Sequence, residues 1–138
     1  YRNVERHSVV TDPHILSMRI DESLYFANAA YLEEMVFAQV ALREHLAHVV
    51  LMCPAVNAID LSALEALKEI NNGLIESGVK LHLSEVKGPV MDRLGRTHFV
   101  KELNGRVFLS QNRAFDELAS DTGEPPEPVD HYMARGLI

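Results

Sequence analysis

A serine and two carboxylates at the start of a predicted helix are the residues best placed for chemistry. Ser62 follows Asp60 by two positions and precedes Glu65 by three. The Ser62–Glu65 spacing predicts a capping box, in which the hydroxyl accepts from the Glu65 amide and the carboxylate accepts from the Ser62 amide. A hydroxyl there also lies at the positive end of a helix dipole, which favours a bound or covalent phosphate. Ser62 is therefore either a helix cap alone or a phosphorylation site, and the neighbouring carboxylates would oppose the added charge.

Asp60 also has two interpretations. It either closes the turn through an Asx-type hydrogen bond to the backbone, or it positions Ser62 or holds a cation. Asn57 belongs to the same loop, and Phe26-Ala27-Asn28 forms a second connection from a strand to a helix, with Asn28 predicted as the cap. In a parallel sheet both turns lie at the carboxyl edge, where open α/β sheets bind ligands. We therefore expect a ligand- or partner-binding edge lined by Phe26, Asn28, Asn57, Asp60 and Ser62.

Composition and motifs argue against several other functions. A net charge of −7 on 138 residues disfavours nucleic acid as a partner. The sequence contains no P-loop, GxSxG, GxGxxG or HExxH motif, so we predict neither an enzyme nor a metal site. The single cysteine, Cys53, has no predicted base and is expected to be a small buried residue. Five basic residues between positions 87 and 106 form either a solvated face or an electrostatic docking surface.

Alternating strands and helices supply the frame that positions these residues. Apolar runs and alternation predict strands at 7–11, 15–20, 49–52, 79–83 and 107–109. Helical spacing predicts helices at 29–46, 62–77, 90–94 and 111–119, and it places Ile75 on the apolar face of the second. Gly78 is predicted to end that second helix. The resulting order, β-β-α-β-α-β-α-β-α, predicts a mostly parallel sheet with right-handed crossovers.

The loop Asp60-Leu61-Ser62-Ala63-Leu64 resembles the signature of STAS domains, which sulfate transporters and anti-sigma factor antagonists share. Two further stretches resemble bacterial SulP anion transporters: the junction Tyr1-Arg2-Asn3-Val4 after the last membrane helix, and residues 19–29. The resemblance covers about residues 6–118. It implies an α/β fold of the STAS (SpoIIAA-like) type, with a mixed, mostly parallel sheet of four or five strands and helices mainly on one side. It assigns residues 1–120 to the STAS domain, with 1–6 as the junction, and 121–138 to a proline-rich, disordered tail.

The same resemblance implies a non-catalytic regulatory domain of a SulP-type transporter for sulfate or a related anion such as bicarbonate. Such a domain lies on the cytoplasmic face of the bacterial inner membrane. The implied partners are the transmembrane domain of the same chain, a second copy, and a regulatory protein such as acyl carrier protein or a kinase. No cofactor is implied beyond weak nucleotide binding. The alternative is a stand-alone anti-sigma factor antagonist switched by phosphorylation of Ser62. Leu61 and Ala63 replace the serine or threonine and the glycine usual in antagonists, which favours the transporter branch.

Overall fold

The computed structural model describes residues 12–121, apart from the side chains of Phe26, Gln111, Ser120 and Asp121. Within that range four strands form one parallel sheet in the order β1-β2-β3-β4, namely β1 (Ile15–Arg19), β2 (His48–Met52), β3 (Lys80–Ser84) and β4 (Val107–Phe108). The helices are α1 (Phe26–Ala41), α2 (Leu61–Glu76), α3 (Gly88–Gly95), α4 (Phe99–Glu102) and α5 (Gln111–Asp121). The predicted α/β fold class is confirmed. The predicted strand at 7–11, the junction 1–6 and residues 122–138 of the predicted tail lie outside the described residues.

The larger apolar core lies between one face of the sheet and the helices α1 and α2. Leu16 of β1 is in register with Val49 of β2, which is in register with Leu81 of β3. All three side chains are buried because successive residues of a strand point to opposite faces and these three share the covered one. The helices contribute their apolar stripes to the same core, including Leu32, Val36, Leu67, Ile70 and Leu74. This packing fixes where α1 and α2 begin relative to the strands.

Helix α5 covers the opposite face of the sheet, where the apolar cluster is smaller and several buried side chains are polar. In this cluster Ile15, Val50 and Phe108 of the sheet pack against Ala114 and Leu118 of α5. The same face carries buried polar side chains on three strands, at Ser17, His48, His82 and Ser84. Buried polar groups that water does not reach need hydrogen-bond partners within the protein. The two histidines are partners of one another, with His48 Nδ1 3.0 Å from His82 Nε2.

The bounds of α1 and α2 differ from the sequence-based expectation. Helix α1 begins at Phe26 rather than Ala29 and ends at Ala41 rather than Leu46. Helix α2 begins at Leu61, one residue before the predicted start, and the glycine predicted to end it, Gly78, follows its C-cap with φ +76°. Ile75 is 44% exposed and is not part of the apolar face of α2, which Asn71 joins instead.

Asn71 and the one-turn helix α4 were not predicted from the sequence. A four-residue helix is too short to display a helical period. Its Phe99 is nevertheless fully buried in the larger core. The Asn71 side chain holds the segment that follows, since its Nδ2 donates to the Glu102 carbonyl at 3.0 Å and its Oδ1 accepts from the Asn104 amide at 3.2 Å. This pair of bonds positions the chain just before β4.

Candidate functional site at the carboxyl edge of the sheet

A short parallel bridge beyond the main sheet brings the beginnings of α1 and α2 side by side. Leu24 pairs with Ile59 in parallel orientation. The Leu24 amide donates to the Ala58 carbonyl at 2.9 Å, and the Asp60 amide donates to the Leu24 carbonyl at 3.1 Å. Each segment enters its helix within two residues of this bridge. The expectation that the two turns share the carboxyl edge of the sheet is therefore met by the backbone.

Asp60, and not Ser62, is the N-cap of α2. The Asp60 carboxylate accepts from the Ala63 amide at 2.8 Å, which is the usual N-cap geometry. Ser62 is the second helical residue, so the predicted Ser62–Glu65 capping box is wrong. Its side chain is exposed, and its hydroxyl has no hydrogen-bond partner within residues 12–121. The hydroxyl is therefore accessible to solvent at the beginning of a helix.

Asn28 and Phe26 have different positions from those expected. Asn28 is not the N-cap of α1; that position belongs to Tyr25. Asn28 is buried in the first turn, where its Oδ1 accepts from the Tyr25 amide at 2.8 Å and its Nδ2 donates to the Ser23 carbonyl at 2.6 Å. It stabilises the turn from inside the helix, so it is not available to a ligand. Phe26 is the first residue of α1, and its side chain lies outside the described part of the chain.

Asn57 lies in a loop that is held from both sides. Its amide donates to the Ser23 hydroxyl at 3.0 Å, and its Oδ1 accepts from the Lys87 ammonium at 2.6 Å. Two positions along, the Arg93 Nε donates to the Ile59 carbonyl at 2.8 Å. Two residues of the predicted basic stretch therefore fix this loop. These hydrogen bonds hold the loop that leads into Asp60.

An acidic groove, about 210 Å³ in volume, runs between α1 and α2 beside Ser62. Its floor contains two alanines, whose small side chains leave room between the helices. Its remaining lining is Ser62 and three glutamates, so that the full set is Ala30, Glu33, Ser62, Glu65, Ala66 and Glu69. The three glutamates among the lining residues would oppose the charge of a phosphate on Ser62. The surface of the groove is mainly apolar and its charged side chains are acidic, so it does not suit an anion.

Two exposed apolar side chains lie at the same edge and were not predicted as functional. Tyr25, the N-cap of α1, is 52% exposed, and Leu61, the first residue of α2, is 66% exposed. The Leu24–Ile59 bridge holds the two helix starts together, so these side chains belong to one end of the molecule. Large exposed apolar residues beside charged ones are common at protein interfaces. The signal in the sequence was Leu61, which replaces the serine or threonine usual at this position in antagonists.

The chemistry available in the described residues is limited. Within residues 12–121 no group of three or more His, Cys, Asp or Glu side chains is arranged to hold a metal ion. Cys53 is buried as predicted, and burial raises the pKa of its thiol to about 12, so the nucleophilic thiolate is absent at neutral pH. No described helix combines the length and apolar character needed to cross a bilayer.

Comparison with known proteins agrees with the resemblance seen in the sequence. The profile of the STAS domain family matches residues 6–114. Sulfate transporter 3.1 of Arabidopsis thaliana is 34% identical over 84% of this chain, and Sulfate transporter 2.1 of the same plant is 31% identical over 78%. The chain spans about a fifth of the length of these relatives, 20% and 18% respectively.

Solved structures with the same fold fall into two groups. The STAS domain of a SulP transporter from Vibrio cholerae superposes with a TM-score of 0.66 at 18% identity, covering 88% of this chain and 94% of that one. A putative anti-sigma factor antagonist from Thermotoga maritima gives a TM-score of 0.67 at 17% identity, covering 80% and 92%. The murine Solute Carrier 26 member A9 anion transporter gives 0.68 at 20% identity over 77% of this chain and 18% of that one. With the fold and the profile in agreement, this chain belongs to the STAS domain family.

Proposed function

We propose that this chain is the regulatory and interaction domain of a SulP-type secondary anion transporter, and that it is not catalytic. The proposed cargo is sulfate or a related anion such as bicarbonate. The proposed location is the cytoplasmic face of the bacterial inner membrane. The observation that carries this proposal is the alignment with Sulfate transporter 3.1, in which the chain matches a fifth of a longer transporter at 34% identity.

The carboxyl edge described above is the proposed contact surface. The acidic groove offers Glu33 and Glu69 to a basic partner segment, whereas Glu65 already pairs with Lys68 at 3.5 Å. Tyr25 and Leu61 offer apolar area at the same end of the molecule. Such a combination of an apolar centre and a charged rim fits a protein partner. The proposed partner is the transmembrane domain of the same protein. Contacts with a second copy, an acyl carrier protein or a kinase stay predictions, as does weak nucleotide binding, which titration with labelled nucleotide would test.

The experiment uses the full open reading frame that contains this chain, expressed in cells that lack sulfate uptake. Ser62→Asp adds a negative charge to the groove, and we expect it to change sulfate uptake at unchanged expression. The matched control is Asn72→Asp, which adds the same charge at an exposed position of the same helix but outside the groove. Equal uptake by both variants and the unaltered protein would contradict a regulatory role for this edge.

A second candidate function is a stand-alone anti-sigma factor antagonist switched by phosphorylation of Ser62. The exposure of Ser62 and the lack of an internal partner for its hydroxyl within residues 12–121 favour it. The three glutamates of the groove oppose it, because they disfavour a phosphoserine. Mass spectrometry of the protein isolated from its native cells distinguishes the two functions. Phosphoserine at position 62 in a chain without membrane segments would establish the antagonist.

A further inference from the structure

A cleft of about 460 Å³ lies between β3 and β4, away from the edge that carries Ser62. It exists because β4 pairs only with the carboxyl end of β3, through Leu83–Val107 and Ser84–Phe108. The first residues of β3 therefore have no strand partner on that side within the described chain. The cleft is lined by Lys80, His82, Asn104, Gly105 and Arg106.

The floor of this cleft is fixed by a close approach of two backbone segments. The Arg106 amide donates to His82 Nδ1 at 2.9 Å, and the Leu83 amide donates to the Arg106 carbonyl at 3.0 Å. Gly105 passes so close to β3 that a Cβ there would overlap the Leu81 carbonyl oxygen and the His82 ring. Only glycine fits this position without a shift of the backbone. The backbone of Gly105 and Arg106 and the His82 ring are thus held in place by contacts that do not depend on a ligand.

Two of the residues that line the cleft, Lys80 and Arg106, are basic in a protein of net charge −7. None of the five described residues that line it is acidic. Lys80 is exposed and forms no ion pair with any carboxylate in residues 12–121. The His82 ring also lines the cleft, and its pKa is lowered first by burial, then by His48, and further by the charges of Arg106 and Lys80.

We propose that the β3–β4 cleft is a binding site for a small tetrahedral oxyanion of the sulfate or phosphate type. The Lys80 ammonium supplies a point charge, the Arg106 guanidinium supplies paired N–H donors suited to an oxyanion, and the Asn104 amide supplies a neutral donor. The anion comes from solution, and no lipid is required. The site is independent of the function assigned to the Ser62 edge.

Glu117 lowers the affinity of this site for an anion. Its Oε1 accepts from Arg106 Nη1 at 2.9 Å, so a bound anion and the carboxylate compete for the same guanidinium. Arg106 also stacks on Phe108, with its Cζ 5.2 Å from the ring centroid. We expect a dissociation constant in the millimolar range for so open a site, roughly that of a weak complex worth a few kcal/mol.

The test is a titration of the 138-residue chain with sodium sulfate at constant ionic strength, with sodium chloride as the reference, followed by amide and imidazole NMR. We expect saturable shifts at Gly105, Arg106 and the His82 ring, together with a rise in the His82 pKa because the anion stabilises the charged imidazolium. Lys80→Gln should weaken binding about tenfold, since a dianion loses a neighbouring unit charge. Glu117→Gln should strengthen binding, because it removes the competing carboxylate. Lys68→Gln, which removes an equal charge from α2, should leave binding unchanged.

Each other outcome overturns the proposal. Shifts that grow linearly with sulfate, or that persist unchanged in the Lys80→Gln variant, would indicate general screening rather than a site. A third arm uses phosphatidylglycerol vesicles in a sedimentation assay. If vesicles bind through Lys80 while sulfate does not bind, the source of the anion is a lipid headgroup and the free oxyanion is excluded.

Discussion

The buried histidine pair makes the stability of this domain depend on pH. His82 Nδ1 accepts from the Arg106 amide, so in the neutral ring the proton lies on Nε2, which donates to His48 Nδ1. A second proton on His82 would displace the Arg106 hydrogen bond and bury a charge between two cations. Burial first, and then His48, Arg106 and Lys80, lower the pKa of His82 from 6.5 to about 3.

The sign and size of the effect follow from proton linkage. Below pH 6.5 the unfolded chain binds a proton that the folded chain refuses, so the free energy of unfolding falls as the pH falls. With a folded pKa of about 3 and an unfolded value of 6.5, His82 alone removes about 2 kcal/mol between pH 7 and pH 5. The loss continues toward pH 3 and is absent above pH 7.

Urea unfolding of the unaltered chain and of His82→Asn, each at pH 7 and pH 5, measures the contribution of His82 to this loss of stability. Asparagine keeps an acceptor near the position of Nδ1 for the Arg106 amide but does not titrate. The variant should be less stable at pH 7, because it loses the bond to His48 and ring contacts with Phe108. Its loss between pH 7 and pH 5 should nevertheless be smaller by about 2 kcal/mol. The control is His45→Asn, at an exposed histidine. An equal pH dependence in His82→Asn and the unaltered chain would refute the assignment.

Three further predictions concern single residues. Asp60→Ala should lower the free energy of unfolding by about 1 kcal/mol because it removes the N-cap of α2, whereas Ser62→Ala should change it by less than about 0.5 kcal/mol; equal losses in urea unfolding would argue against this division of roles. Gly105→Ala should cost about 2 kcal/mol or more because its Cβ meets β3, whereas Gly95→Ala, with open space around it, should be tolerated; the midpoints of thermal unfolding compare the two, and a stable Gly105→Ala variant would show that the segment can move away. Cys53 should resist iodoacetamide at pH 8 in the folded chain and react in urea, because burial raises its pKa to about 12; rapid labelling of the folded chain would contradict its burial.

Local patterns in the sequence were enough for the strands and the longer helices of residues 12–121, but not for their ends or for the one-turn helix α4. Alternation placed Leu16 and Met18 on one face of β1, and Leu81 and Leu83 on one face of β3, because only one face of each strand meets the larger core. The start of α2 was misplaced because both Asp60 and Ser62 are good cap residues. The choice between them depends on the hydrogen bond from the Asp60 amide to Leu24, a residue far away along the chain.

The site was predicted only in part, because some of it depends on contacts between segments that are far apart along the chain. That the Phe26–Asn28 and Asp60–Ser62 turns share one edge follows from parallel strands alone, and the bridge at Leu24 agrees with it. The groove between α1 and α2 requires knowing how the two helices face each other, which helical spacing within one segment does not give. The histidine pair was likewise hidden, because His48 and His82 meet only through the register of β2 and β3.

Among the four strands of residues 12–121, the order in the sheet is also the order along the chain. None of these four has to insert between two earlier ones, so during synthesis each can add to the edge formed by the one before it. Each addition waits for its crossover helix to emerge, because neighbouring parallel strands are joined by such a connection. The domain can thus assemble from its amino-terminal part forward as it leaves the ribosome, and β4, which pairs over two residues, is the last and weakest addition.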